Sequence, residues 1–138
     1  MVFVGSHEHT LDEKGRFVLP AKFRNYFSEV AYVSPAANCL ALHTPLGFEE
    51  MIDRLKLQVQ SREVDRKVLR QIGASAEEVR VDAQGRVTLS QRLRDNASLR
   101  TEVVVCGVID HVEIWSTDRW EPESNSSLVE AFWSDGGV

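Results

Sequence analysis

The sequence predicts a mainly β protein with short helices, built from two tandem copies of one half-domain joined by a helical connector. Three observations predict it. A motif spanning Asp12 to Arg24 recurs from Asp82 to Arg94. Two short apolar runs follow each copy in the same order. Between the copies lies the one long stretch with helical spacing of apolar residues. A chain of 138 residues buries roughly two thirds of its unfolded surface on folding, so no metal or disulfide staple is required.

The first copy reads Asp12-Glu13-Lys14-Gly15-Arg16-Phe17-Val18-Leu19-Pro20-Ala21-Lys22-Phe23-Arg24, and the second Asp82-Ala83-Gln84-Gly85-Arg86-Val87-Thr88-Leu89-Ser90-Gln91-Arg92-Leu93-Arg94. Asp, Gly, Arg, Leu and the final Arg coincide. One short match arises by chance, but four elements repeated in one order do not. Asp12 and Gly15, like Asp82 and Gly85, suit a tight turn: the carboxylate accepts backbone N–H groups and glycine tolerates positive φ. The apolar runs flanking each turn are expected to pair as a hairpin. Pro20 suits a helix's first position and Ser90 an N-cap, so each hairpin should exit through a short helix. Phe23 and Phe27, like Leu93 and Ala97, share one face of that helix. Strands are expected near 30–34 and 39–43, then near 102–108 and 111–115.

The connector carries Phe48, Met51, Ile52 and Leu55, then Val64, Val68, Leu69 and Ile72, at amphipathic-helix spacing with a break near 58–62. Gly73 and Ser75 are expected to end it. Ser116-Thr117-Asp118 should open a further helix at Arg119-Trp120, with Pro122 interrupting or restarting it. The expected division is a first repeat over 1–45, the connector over 46–75, a second repeat over 76–120 and an acidic C-terminal helix or tail over 121–138, frayed at Asp135 to Val138.

Charge is unevenly placed. The chain's net charge is -5, which alone argues against nucleic acid, since phosphate binding rests on local cation density. Yet the first motif carries Lys14, Arg16, Lys22 and Arg24 against only Asp12 and Glu13, while the last segment carries Glu121, Glu123, Glu130 and Asp135 with no base. That tail reads as solubilising. Cys39 and Cys106 lie in apolar runs, where a thiol behaves as a small hydrophobe and a disulfide is not expected. No stretch approaches the roughly 20 apolar residues of a membrane helix, and no signal-peptide layout opens the chain, so a cytoplasmic protein is expected. The Asn125-Ser126-Ser127 glycosylation pattern is disregarded on that ground.

With these residues in view, the chain resembles the MraZ family of bacterial transcriptional regulators and, more distantly, AbrB-like swapped-hairpin domains. The likeness runs from Glu8-His9-Thr10-Leu11 through both motifs to Val112-Glu113-Ile114-Trp115 and Arg119-Trp120, and so covers nearly the whole chain. It departs at Ser90 for Pro20 and at Ala83 and Gln84 for Glu13 and Lys14. The resemblance implies a pseudo-two-fold swapped-hairpin β-barrel, a ring-shaped homo-oligomer, and binding to direct repeats in the promoter of the division and cell-wall gene cluster. The partner would be double-stranded DNA, with a nucleoid-associated location and no cofactor. It also implies DNA contacts by Arg16, Arg24, Arg86 and Arg94.

Arginine offers a planar fork of donors that meets phosphate or a guanine edge bidentately. Emerging from a rigid turn, it is already oriented, which avoids an ordering cost on the order of 1 kcal/mol. Asp12, Gly15, Asp82 and Gly85 are read as bracing the turns, and Lys14 and Lys22 as phosphate contacts that position without reading bases. Two other classes are weighed. A metal-dependent enzyme would rest on His7 and His9, two apart on one strand face, with Glu8, Asp12 and His43 nearby, a set short of full ligation. An oligomeric interaction scaffold would use Trp115, Trp120, Phe132 and Trp133, although Trp115 ends a strand and fits a core. The segment around Leu128, Val129, Phe132 and Trp133 is expected to pack on its own barrel or on a neighbouring subunit.

Overall fold

A computed structural model describes residues 1–124 and 127–136. The pattern of apolar residues produces eight strands and six helices among them. The first half contains β1 (Ser6–Thr10), β2 (Arg16–Val18), α1 (Ala21–Arg24), β3 (Val30–Ala36) and β4 (Cys39–His43). Two helices follow, α2 (Pro45–Gln60) and α3 (Arg66–Ser75). The second half repeats the first as β5 (Glu77–Arg80), β6 (Arg86–Thr88), α4 (Gln91–Asn96), β7 (Glu102–Val108) and β8 (His111–Ser116), and then α5 (Thr117–Ser124) and α6 (Leu128–Ser134) close the described chain.

Six strands form one antiparallel sheet in the order β1-β7-β8-β4-β3-β5, and β2 pairs β6 in a separate two-stranded ribbon. The halves interlock. β1 lies on β7 of the other half, with Ser6 opposite Cys106, and β5 lies on β3, with Val30 opposite Arg80. Two expectations change here. The strands flanking each motif turn meet one another only beside the turn, through the Asp12–Arg16 and Asp82–Arg86 backbone bonds and a Val81–Val87 bridge, and both cross to the opposite repeat for their ladders. Nor does the sheet close into a barrel: β1 and β5 are its two edges.

The core fills the space between ribbon and sheet. Phe17 and Val87 point inward from the ribbon, Leu40, Leu42, Val103, Val105, Val112 and Ile114 from the sheet, and Phe23 and Leu93 from the short helices. Strand alternation sends the intervening residues to the opposite face. There Cys39, Val104, Cys106 and Trp115 form a second buried cluster under Trp120 of α5. Both cysteines are free.

Local chemistry sets the element ends. Pro20 caps α1 rather than entering it, and Ser90 caps α4 by accepting the Leu93 N–H. Thr44 and Asp65 cap α2 and α3 by accepting from Gly47 N and Lys67 N. α3 runs through Gly73, which does not end it, and stops at Ser75, the other residue expected to mark its end; the chain leaves it at Ala76 by entering β5. α5 runs from Thr117 to Ser124 through Pro122, so the proline does not interrupt the helix, although it supplies no N–H to the carbonyl four residues back. On α6 the side chains of Val129, Phe132 and Trp133 are exposed, Trp133 by 65%. The expected packing of this segment on its own sheet is thus absent, since α6 reaches no core position. The Asn125-Ser126 pattern and the final Gly137 and Val138 lie outside the described residues.

Candidate nucleic-acid interface

Each motif turn is built by its aspartate. Asp12 Oδ1 accepts the Lys14 and Arg16 N–H groups, both at 2.9 Å, and Oδ2 accepts the Arg16 Nε at 2.6 Å. Asp82 repeats this with Gln84 N at 3.0 Å, Arg86 N at 2.8 Å and Arg86 Nε at 2.6 Å. Gly15 and Gly85 take φ of 78° and 77°, a conformation that costs other L-residues roughly 1–2 kcal/mol. Both carboxyls are held below their ordinary pKa, foremost by the backbone N–H of the following arginine and then by its guanidinium.

The turns lead into the ribbon from opposite ends. Its register sets Arg16 opposite Thr88, Phe17 opposite Val87 and Val18 opposite Arg86. Period-two alternation therefore buries Phe17 and Val87 and places Arg16 and Arg86 together on the outer face. They form a diagonal pair, about 7–8 Å apart at Cα by strand geometry. Their side chains are 31% and 38% exposed. Each Nε is held by its aspartate, which leaves the two terminal Nη groups of each arginine free of protein partners among the described residues. Two cations near one another on a ribbon repel, and Asp12 and Asp82 offset that repulsion from behind.

Arg24 and Arg94 are placed differently. The Arg24 Nη2 donates to Leu19 O at 3.0 Å and the Arg94 Nε to Leu89 O at 3.1 Å. Their guanidinium groups lie over the glycines of the opposite repeat, Arg24 over Gly85 and Arg94 over Gly15. Lys14 is exposed on the first turn. Lys22 is also exposed, its Nζ 5.7 Å from the Phe23 ring centroid. In the second repeat Arg92 takes the place of Lys22 and instead ties α4 to the connector, donating to Ser75 O and Glu77 Oε2.

His7 and His9 share a face of β1, and His7 stacks edge-on against Phe23. Among the described residues they are not joined by a third ligand. His43 lies elsewhere, on β4, stacked on His111 with centroids 5.2 Å apart. The sequence reading missed the polar network around it. His111 bonds Asp110 at 2.7 Å and Glu113 at 2.9 Å, and Glu113 also accepts the Trp115 Nε1. The signal was present, because His111, Glu113 and Trp115 alternate on one strand face. Glu113 raises the His111 pKa more than any other group does, while burial pushes His43 down to about 4.

These features define a class: a duplicated, strand-interlocked β protein that presents a mirrored pair of anchored arginines on a two-stranded ribbon. A family model described as "MraZ protein, putative antitoxin-like" matches residues 2–71 and 72–130. Similar proteins include the transcriptional regulator MraZ of Moorella thermoacetica, 39% identical over 87% of this chain and 85% of that protein. Those of Cutibacterium acnes and Mycobacterium avium are 38% and 37% identical, covering 95% and 87% of this chain and 92% and 85% of their own lengths. The chain belongs to the MraZ family.

Proposed function

We propose that the chain is a transcriptional regulator that binds double-stranded DNA in a sequence-specific way through the outer face of the β2–β6 ribbon. The observation that carries this is the anchored arginine pair. A major groove about 12 Å wide admits a two-stranded ribbon, and ribbon readers use it so. With Nε held by an aspartate, each guanidinium presents its two Nη groups end-on, the arrangement that meets O6 and N7 of one guanine. Lys14 at the ribbon's end is placed to meet a phosphate. The names of the relatives support regulation of transcription.

Few cations on the ribbon's outer face mean few displaced counterions and modest affinity per subunit. A ring of subunits reading direct repeats would raise effective concentration without new contacts. We extend the proposal to that assembly, to the division and cell-wall promoter as target, and to a cytoplasmic, nucleoid-associated location. Family membership supports all three. The chain then divides into two reading repeats, a connector and an acidic tail, with no catalytic centre and no cofactor. The scaffold alternative draws on one observation, the exposed Phe132 and Trp133 of α6.

Duplexes selected from a random pool provide the test. A short repeated motif should emerge, and Arg16→Ala or Arg86→Ala should lower affinity for it by about 1–3 kcal/mol per lost bidentate contact. Size by light scattering should not change. Unaltered affinity in both variants would remove the assignment.

A further inference from the structure

We propose that Arg24 and Arg94 are positioning residues, each clamping the recognition turn of the opposite repeat, and that neither touches DNA. The inference rests on the ribbon as the DNA-reading face and assigns the second arginine of each motif a different task from the first.

Three observations carry it. The Arg24 Nε is fully buried and has no hydrogen-bond partner, so that side of the guanidinium faces protein and cannot reach a phosphate. What it faces is Gly85. A Cβ built there would stand 2.6 Å from the Arg24 Cζ, and one built on Gly15 would stand 2.7 Å from the Arg94 Nε. Each guanidinium therefore occupies the space that only a glycine leaves open. Finally, the leucine that accepts each guanidinium also donates to the clamped glycine: Leu19 N bonds Gly85 O and Leu89 N bonds Gly15 O, both at 2.9 Å. Arginine, leucine and the opposite glycine thus close a ring at each end of the ribbon.

The geometry ties the two turns together crosswise. Gly85 directly precedes Arg86, whose Nη groups face outward. Fixing Gly85 from the first repeat fixes the direction in which the second repeat's reading arginine leaves the backbone. Lysine cannot replace the clamp, because its point charge on a flexible stem lacks the flat guanidinium that lies over the turn. Leu19 and Arg24, like Leu89 and Arg94, stand five residues apart, the leucine just before the short helix and the arginine on it, so the turn into the helix brings both halves of the device together.

Hydrogen–deuterium exchange on the full-length, DNA-free protein tests this. In Arg24→Met, amides of residues 82–86 should exchange about tenfold faster, the scale of one lost hydrogen bond, while residues 12–16 keep the wild-type rate. Arg94→Met should show the reverse. Arg24→Lys should behave as the Met variant does, despite its charge. No change, a change in the variant's own turn, or equal loosening of both turns would overturn the proposal. Binding to a selected duplex adds a second readout. Arg24→Met should lose about tenfold in affinity with the wild-type salt slope, whereas a slope shallower by about 0.9 marks a lost phosphate contact and sinks the clamp. Failure to select any duplex would count against the ribbon as a DNA reader, and the exchange pattern would still decide the clamp.

Discussion

Asp12 carries three hydrogen bonds on one exposed carboxylate, and so does Asp82. Because their folded pKa values lie below 3.8, the stability they contribute is fully present above that value and is lost as pH falls through the folded pKa. Asp12→Asn should therefore lower the melting temperature at neutral pH, and the gap to wild type should narrow in strongly acid solution. A gap constant with pH would exclude the charge as the cause. Gly85→Ala meets both a positive φ and the Arg24 guanidinium, and should cost at least the roughly 1–2 kcal/mol of the backbone strain alone in chemical denaturation. The local turn was legible in the sequence because Asp, Gly and Arg sit within five residues. The crossed contact was not. Arg24 and Gly85 are joined only by the fold, and nothing in either motif says which glycine its arginine will cover.

Among elements, the ribbon is short yet well determined. Phe17 and Val87 anchor it in the core, which forces the flanking Arg16 and Arg86 outward. Alternation made that much readable, while the partner of each strand was not, because a run such as Arg16–Val18 pairs equally well with a neighbour or with a distant copy. The helical connector was readable from its spacing and so was its end at Ser75, whereas Gly73 lies inside α3 with open space where a side chain would stand. At the β7–β8 turn, Ile109 holds φ of 65°, fixed there by paired backbone bonds with Phe3. Ile109→Asn should raise stability by about 1 kcal/mol, since asparagine tolerates that conformation better than a β-branched residue does. On the outer sheet face, His43 meets His111, Phe48, Asp110, Glu113 and Arg54. Its pKa is lowered to about 4, so its contribution is present above 6.5 and lost as pH falls toward 4. His111, raised by Glu113, acts in the opposite sense and loses its contribution as pH rises above 6.5. His43→Phe should flatten the acid-side loss in a pH series of melting temperatures; an unchanged acid limb would contradict this.

At the scale of the molecule, neither repeat holds a complete sheet of its own. β1 requires β7, β5 requires β3, and the ribbon needs one strand from each half. Residues 1–75 and 76–138 expressed separately should each lack the cooperative melting of the whole, and mixing should restore it; an independently folded half would contradict the interlock. α6 makes no such demand. A chain ending at Ser124 should melt as the full chain does, while a fall in its mass by light scattering would place Phe132 and Trp133 at a subunit boundary. Symmetry between the halves was legible from the repeated motif. Interlocking entered only through the family resemblance, and the open edges at β1 and β5 departed from the closed form it implied.

Strand exchange also imposes a timetable on synthesis. Ser6 leaves the ribosome about 100 residues ahead of Cys106, its partner across the sheet, a wait of roughly 5–20 s at ordinary rates of translation. Until Thr88 emerges, Arg16 has no strand beside it and no matching arginine. A truncated nascent chain thereby lacks the paired ribbon, so under the proposed function an interrupted message should yield fragments that do not bind DNA.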